Sequence, residues 1–155
     1  MTREAIRAAL QEHWGGLVVT PERTYTADDI EAFVALDETG RAVATVSFHR
    51  EPGGAEIVTL DALIDGQRYG RRALAQVEAM LGDEGRRYTR LFTTNDNLRA
   101  ITVYLRMGYR VVTVHLGAMD QVRALKPSVP FIGEDGIPLR DMWELRKELT
   151  PRSIR

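Results

Sequence analysis

The chain has 155 residues, of which 21 are basic and 22 acidic, for a formal net charge of −1; 44% are apolar and 28% charged. This is the balance of an ordinary globular protein; it argues against general disorder and against a general nucleic-acid binder, which carries a basic excess. Cysteine is absent, which removes disulfides, thiolate nucleophiles and cysteine-ligated metal together, and no apolar run reaches the length of a membrane span or a signal peptide. The expectation is a cytoplasmic enzyme or binding protein, one domain over residues 1–155.

Ile6, Ala9, Leu10, His13 and Trp14 fall at helical spacing over 4–14, and Gly15-Gly16 ends the pattern. Leu17–Val19 reads as a short strand and 26–29 as a turn or helix start. Glu31–Asp37, Ala42–Phe48 and Ala55–Ile64 read as three strands joined by turns at Glu38-Thr39-Gly40 and Pro52-Gly53-Gly54, which suggests an antiparallel meander. The period then changes. Leu74, Val77 and Leu81 mark an amphipathic helix from Arg71 to Gly82 or Gly85. Thr89–Thr94 reads as a strand, Asn97–Met107 as a helix followed by Gly108, and Tyr109–Leu116 as a strand. A short helix over 117–125 and an irregular, proline-rich stretch over 126–140 follow. Met142–Leu149 suits a closing strand, although Glu144–Leu149 also suits a helix.

The segment Asp65-Gly66-Gln67-Arg68-Tyr69-Gly70-Arg71-Arg72 lies between an apolar strand and an amphipathic helix. The first turn of a helix has unpaired N–H donors and partial positive charge, so such a junction suits an anion, and a pyrophosphate in particular. Gly70 lets backbone approach a ligand closely, and Arg68, Arg71 and Arg72 add charge. A strand–helix turn with a solvated basic face is the alternative.

Asn97 to Tyr109 reads N-x-x-A-x-x-x-Y-x-x-M-G-Y, with Ala100, Tyr104, Met107 and Gly108 at its fixed positions. Behind a strand–glycine loop–helix unit, this resembles the GCN5-related N-acetyltransferase (GNAT) superfamily, strongly over about 56–109 and plausibly over almost the whole chain. Thr93–Ala100, Lys126-Pro127-Ser128 and Gly136-Ile137-Pro138 look like a largely uncharacterised bacterial branch. The resemblance implies an α/β fold with a mixed central sheet, flanked by helices, whose two central parallel strands (55–64 and 89–94 here) splay apart. It implies acetyl-CoA as co-substrate, with its thioester arm pairing with backbone at the end of the first strand, at Leu63 and Ile64. The pyrophosphate is then expected on Gln67, Arg68, Tyr69, Gly70, Arg71 and Arg72. An amine attacks the thioester directly, without an acyl-enzyme and without a metal.

The family loop usually reads [Q/R]-x-x-G-x-[G/A]. Aligning Gly70 with the last position places Asp65 first and Arg68 on the first glycine, two departures; aligning Gln67 and Gly70 with the first and fourth positions leaves Arg72 at the sixth, another departure. The first alignment matches the helix better. In it, Arg68 either blocks the pyrophosphate or points outward and binds it, and positive φ there costs a side-chain residue about 1 kcal/mol or more.

The resemblance also implies Tyr104 as general acid to the leaving thiolate and Asn97 as a contact of the pantetheine arm, unless Asn97 caps its helix, a task Asn95 suits equally. Glu56 matches the glutamate base of histone-acetylating members. Strict alternation puts Glu56 with Val58 and Leu60, and Asp61, a second base candidate, on the opposite face with Ile57, Thr59 and Leu63. The three histidines lack metal-ligand spacing. Residues 20–30 and 126–140 are candidate acceptor segments. The expected partners are acetyl-CoA and an amine, with no nucleic acid or membrane; a C-terminal edge strand is compatible with a homodimer. A GNAT-fold protein that binds CoA or another ligand without turnover is the alternative.

Overall fold

The computed structural model describes residues 1–64 and 68–150. They divide into two compact units: residues 1–18, 25–89 and 148 onward, and residues 19–24 with 90–147.

The first unit opens with helix α1, Arg3–Trp14. The Ala5 N–H donates to the Thr2 hydroxyl (3.1 Å), and Gly15 closes the helix in the left-handed region at φ 68°. Short strands β1 (Val18–Val19) and β2 (Thr24–Tyr25) pair as a ribbon; β2 is too short to leave a period in the sequence. A 3-10 turn over Ala27–Asp29 follows, with the Thr26 N–H donating to Asp29 Oδ2 (2.7 Å).

Strands β3 (Glu31–Leu36), β4 (Ala42–Glu51) and β5 (Gly54–Ala62) form the expected antiparallel meander. β5 begins one residue earlier than the apolar pattern suggests and ends two residues earlier, at Ala62. Helix α2, Tyr69–Asp83, packs on all three strands and buries Ala73, Leu74, Val77 and Leu81. On the other face, Ile6 and Leu10 of α1 join Val18, Tyr25, Ala27, Ile30 and Val58 in a core cluster, with Trp14 and Ala32 against it.

Strand β6 spans Tyr88–Thr94, and its last five residues enter the second unit. There follow α3 (Leu98–Arg106), β7 (Arg110–His115), α4 (Ala118–Leu125) and β8 (Met142–Glu148). The closing segment is thus a strand: it pairs antiparallel with β7, from Arg110↔Arg146 to His115↔Met142, which buries Met142, Glu144 and Leu145. Val19, Met119, Val122, Leu139 and Met142 form this unit's core cluster, with Phe92, Ala118 and Val129 against it. The main strands belong to one mixed sheet in the order β3-β4-β5-β6-β8-β7. Among the described residues no helix is long and apolar enough to cross a membrane.

Candidate active site

Helix α2 starts at Tyr69, two residues before the apolar periodicity sets in, and its N-cap is Arg68 at φ 56°, ψ 31°, with no side-chain cap. Only Arg68 and Asp135 among the described non-glycine residues have positive φ. Arg68 therefore takes the left-handed backbone that glycine usually supplies, and its side chain is exposed. The Arg72 N–H donates to the Arg68 carbonyl (3.0 Å). The N–H groups of Tyr69, Gly70 and Arg71 precede that first helical bond and point off the end of the helix. No acidic residue occupies the first turn; Arg68, Arg71 and Arg72 stand there instead, where the helix dipole disfavours cations. The arrangement suits an anion. Gln67 lies outside the described residues.

A Cβ on Gly70 would meet Leu60 Cδ1 at 3.7 Å and Ala62 Cβ at 3.8 Å, ordinary contacts against β5. Its side-chain position faces the sheet and has room for a methyl group. At the end of β5 the Leu63 N–H donates to the Val43 carbonyl (2.9 Å), so that donor is already engaged.

The alternation assumed for β5 fails at one point. Ser47 pairs with Thr59 but Phe48 pairs with Ile57, which leaves Val58 as the extra residue of a β-bulge. The bulge reverses the parity of the strand. Glu56 faces the α1 side, where it accepts a hydrogen bond from the Tyr25 hydroxyl at 2.6 Å. Asp61 faces that side too and accepts from Trp14 Nε1 at 3.1 and 3.2 Å. Leu60, expected beside Glu56, lies under α2 next to Gly70. Both carboxylates thus belong to one face. Between them Thr59 Oγ1 and Ser47 Oγ share a 2.5 Å hydrogen bond, and a cavity of about 20 Å³ lies between this polar strip and α1. Glu56 is 1% exposed and Tyr25 is 1% exposed. Opposite Glu56 on β4 stands His49, whose ring centroid is 5.6 Å from that of Tyr25 and whose Nδ1 is 2.9 Å from the Asp29 carbonyl oxygen. Neither Tyr25 nor the Trp14–Asp61 pair carries a local sequence signal, since each partner lies on a different element.

In the second unit, Tyr104 is half-buried on α3, its ring tilted against Tyr109 with centroids 5.8 Å apart. Asn97 is the N-cap of α3; its Oδ1 accepts from the Ala100 N–H at 3.3 Å. Asn95 is not an alternative cap. Its Oδ1 accepts from the N–H groups of Arg140 and Asp141 (both 3.0 Å), and its Nδ2 donates to the Pro138 carbonyl (2.9 Å). Asp96 takes part in the same latch, accepting from the Glu134 N–H (2.9 Å) and the Thr94 hydroxyl (2.6 Å). Arg123 donates to the carbonyls of Pro130 and Leu139 and lies over the Phe131 ring. The 126–140 stretch, a candidate acceptor segment, is thereby tied at several points. Segment 20–30 carries Tyr25 to Glu56.

The histidines stand apart. His115 meets Phe92 edge-on and lies 3.6 Å from Glu144, and His13 lies beside Glu12 on α1. Among the described residues no cluster of three or more His, Asp or Glu side chains is arranged to hold a metal ion.

An anion-suited helix start behind a central strand, together with this strand order, defines a class, the acetyltransferase fold. The chain superimposes on a Bacillus subtilis acetyltransferase crystallised with CoA at a TM-score of 0.69, with 16% identity, covering 93% of this chain and 84% of that one. The model of the acetyltransferase (GNAT) family matches residues 2–109, and the chain belongs to that family, an acyltransferase among acetyltransferases. It is similar over most of its length to two uncharacterized proteins of Bacillus subtilis (strain 168). YxbD is 29% identical over 148 residues (95% of this chain, 93% of YxbD), and YdhI is 33% identical over 135 residues (84% and 82%).

Proposed function

We propose that the protein transfers the acetyl group of acetyl-CoA directly to an amine. The observation that carries this reading is the start of α2: an uncapped helix headed by Arg68 in a left-handed conformation, with arginines in place of the usual first-turn acids. In isolation this arrangement is unfavourable, and a bound pyrophosphate reverses its sign. The N–H groups of Tyr69, Gly70 and Arg71 then cradle the phosphates, with the side chains of Arg68, Arg71 and Arg72 closing over them. The Leu63 carbonyl and Ile64 are left to pair with the thioester arm. Asn97 spends its Oδ1 on the helix cap, which leaves its Nδ2 for the pantetheine.

Glu56 is assigned as base and Tyr104 as acid. The acceptor nitrogen attacks the thioester carbonyl carbon, and its proton passes to the Glu56 carboxylate. As the carbon–sulfur bond breaks, the Tyr104 hydroxyl donates its proton to the departing thiolate, and the two residues exchange protons with solvent afterwards. No acyl-enzyme is needed, in keeping with a chain that has no cysteine. The acceptor is an amine, on a small molecule or a protein.

The test is thermal unfolding with and without acetyl-CoA, followed by an amine screen. Ligand at about 100 times its dissociation constant stabilises the native state by about 2.7 kcal/mol, a shift of roughly 5–11 °C for a chain of this size. Absence of any shift would remove the cofactor assignment.

A further inference from the structure

We infer that Tyr25 is the positioning residue of Glu56: its hydroxyl holds the Glu56 carboxylate in one orientation and in its charged, proton-accepting form. This inference rests on the proposed role of Glu56 as base. Tyr25 lies on β2, 31 residues from Glu56 in sequence, yet its hydroxyl donates to Glu56 Oε1 at 2.6 Å, in the short range of a charge-assisted O–H···O⁻ bond. Both side chains are almost wholly buried, so solvent cannot replace that donor.

The geometry depends on two features. The bulge at Val58 turns Glu56 toward the α1 side, and the ribbon of β1 and β2 returns the chain so that Tyr25 reaches it. The ring of Tyr25 is itself fixed, tilted against His49, whose Nδ1 meets the Asp29 carbonyl. A buried carboxylate that accepts from a phenol has one of its oxygens held in place. A base that collects an amine proton needs that arrangement, because proton transfer requires heavy atoms within hydrogen-bond reach.

Among the described residues, the Tyr25 phenol from β2 and His49 from the paired position on β4 face Glu56. A donor to the ionised form favours ionisation. Removing the hydroxyl in Tyr25→Phe keeps the ring and its packing but makes the carboxylate harder to ionise, so the titration of Glu56 moves to higher pH by about one to two units. If Glu56 is the base, the acid limb of kcat/KM moves with it. Turnover then falls roughly tenfold per unit below the new midpoint and returns toward the natural value above it. A merely structural role for Tyr25 would lower activity at every pH and leave the midpoint in place.

The experiment follows the Glu56 carboxyl carbon by NMR as a function of pH in the natural protein and in Tyr25→Phe, using Glu56→Gln to assign the signal. A companion protein carries 3-fluorotyrosine at position 25, which has the same shape but a stronger donor, and in it the midpoint moves to lower pH. Repeating the titrations in a His49→Gln background removes the imidazole's own charge change. In parallel, kcat/KM against pH is measured with acetyl-CoA and spermidine, tyramine or a peptide with a free N-terminus. Opposite shifts in the two Tyr25 variants, tracked by the acid limb, establish the inference. A midpoint unmoved in both variants overturns it, as does an unshifted acid limb in Tyr25→Phe when Glu56→Gln is inactive. Undiminished turnover in Glu56→Gln would instead remove the base itself, and with it the part assigned to Tyr25 in the reaction.

Discussion

Arg68→Ala separates what the arginine costs the free protein from what it contributes to binding. In the free protein the side chain is a cation at the positive end of a fifteen-residue helix that has no acidic residue in its first turn. Its removal relieves about 0.3–1 kcal/mol, while the left-handed backbone at φ 56° remains a cost for alanine as for arginine. Ligand-free Arg68→Ala should therefore melt as high as the natural protein or about 1–4 °C higher. Binding moves the other way. A charge-assisted hydrogen bond to phosphate is worth about 1.5–3 kcal/mol, so the variant should bind acetyl-CoA roughly 10- to 100-fold more weakly. At a ligand concentration about 100 times the natural dissociation constant, stabilisation falls from about 2.7 to about 0.4–1.4 kcal/mol. The two melting curves should thus exchange order when acetyl-CoA is added.

Differential scanning fluorimetry with calorimetric titration reads both quantities. Arg68→Gly adds a control, because glycine also removes the left-handed cost and should show the higher ligand-free melting temperature of the two variants. Added salt should weaken natural binding more steeply than that of either variant, since a screened charge pair is what the variants lack. An undiminished acetyl-CoA shift in Arg68→Ala would refute the assignment of its guanidinium to phosphate, and tighter binding would show that the side chain obstructs the site.

Four further outcomes follow from other parts of the structure. Gly70→Ala should fold, bind acetyl-CoA and melt slightly higher, by about 0.4–1 kcal/mol in unfolding free energy, because its Cβ meets only ordinary contacts on β5; Gly70→Val should lower the melting temperature by forcing α2 off Leu60 and Ala62. Tyr104→Phe should leave the acetyl-CoA melting shift intact and lower turnover by roughly 10²-fold or more, as loss of a general acid does; unchanged acetyl transfer would end its assigned role. Asn95→Ala severs three hydrogen bonds to residues 138–141, so it should destabilise by about 1.5–4 kcal/mol and raise amide exchange across 130–141, measurable by mass spectrometry. The Thr39 hydroxyl, and then the Arg41 N–H, hold Asp37 down to about 2. Since its folded value lies below the unfolded one, the support it gives the β3–β4 turn is full above about pH 4 and lost as pH falls toward 2. Thr39→Ala should move the Asp37 carboxyl titration upward by NMR.

Much of the fold was legible because its elements obey local rules. The apolar periods of α1, α2 and α3 follow from burying one face of a helix, and the Gly-containing turns at 38–40 and 52–54 bound strands whose partners are their sequence neighbours. Family membership was legible as well, because the pattern from Asn97 to Tyr109 compresses helix, cap and following turn into thirteen residues, and the matched region 2–109 contains it. The boundaries drifted where no side chain marks them. Tyr69 and Gly70 extend α2 toward its N-terminus although neither fits the apolar repeat, and β5 stops at Ala62 although Leu63 and Ile64 continue the apolar run. Choosing strand for 142–148 was decided outside the segment, by pairing with β7.

The candidate base shows why side-chain placement resists sequence reading even when the strand itself is recognised. Alternation fixes faces only while the register is unbroken, and one extra residue exchanges every assignment beyond it. Val58 is that residue, and nothing about a valine in an apolar strand announces a bulge. Glu56 and Asp61, five positions apart, thus change from opposite faces to the same face. Their partners, Tyr25 and Trp14, come from a two-residue strand and the end of α1. The loop at α2 is the converse case. There the departure at Arg68 was visible as a residue out of the family pattern, and its physical content is a left-handed backbone that carries a cation into a helix start. Local strain can be read from a sequence when the residue that bears it is the wrong type for the conformation. A long-range hydrogen bond cannot, because both of its residues are the right type for something else.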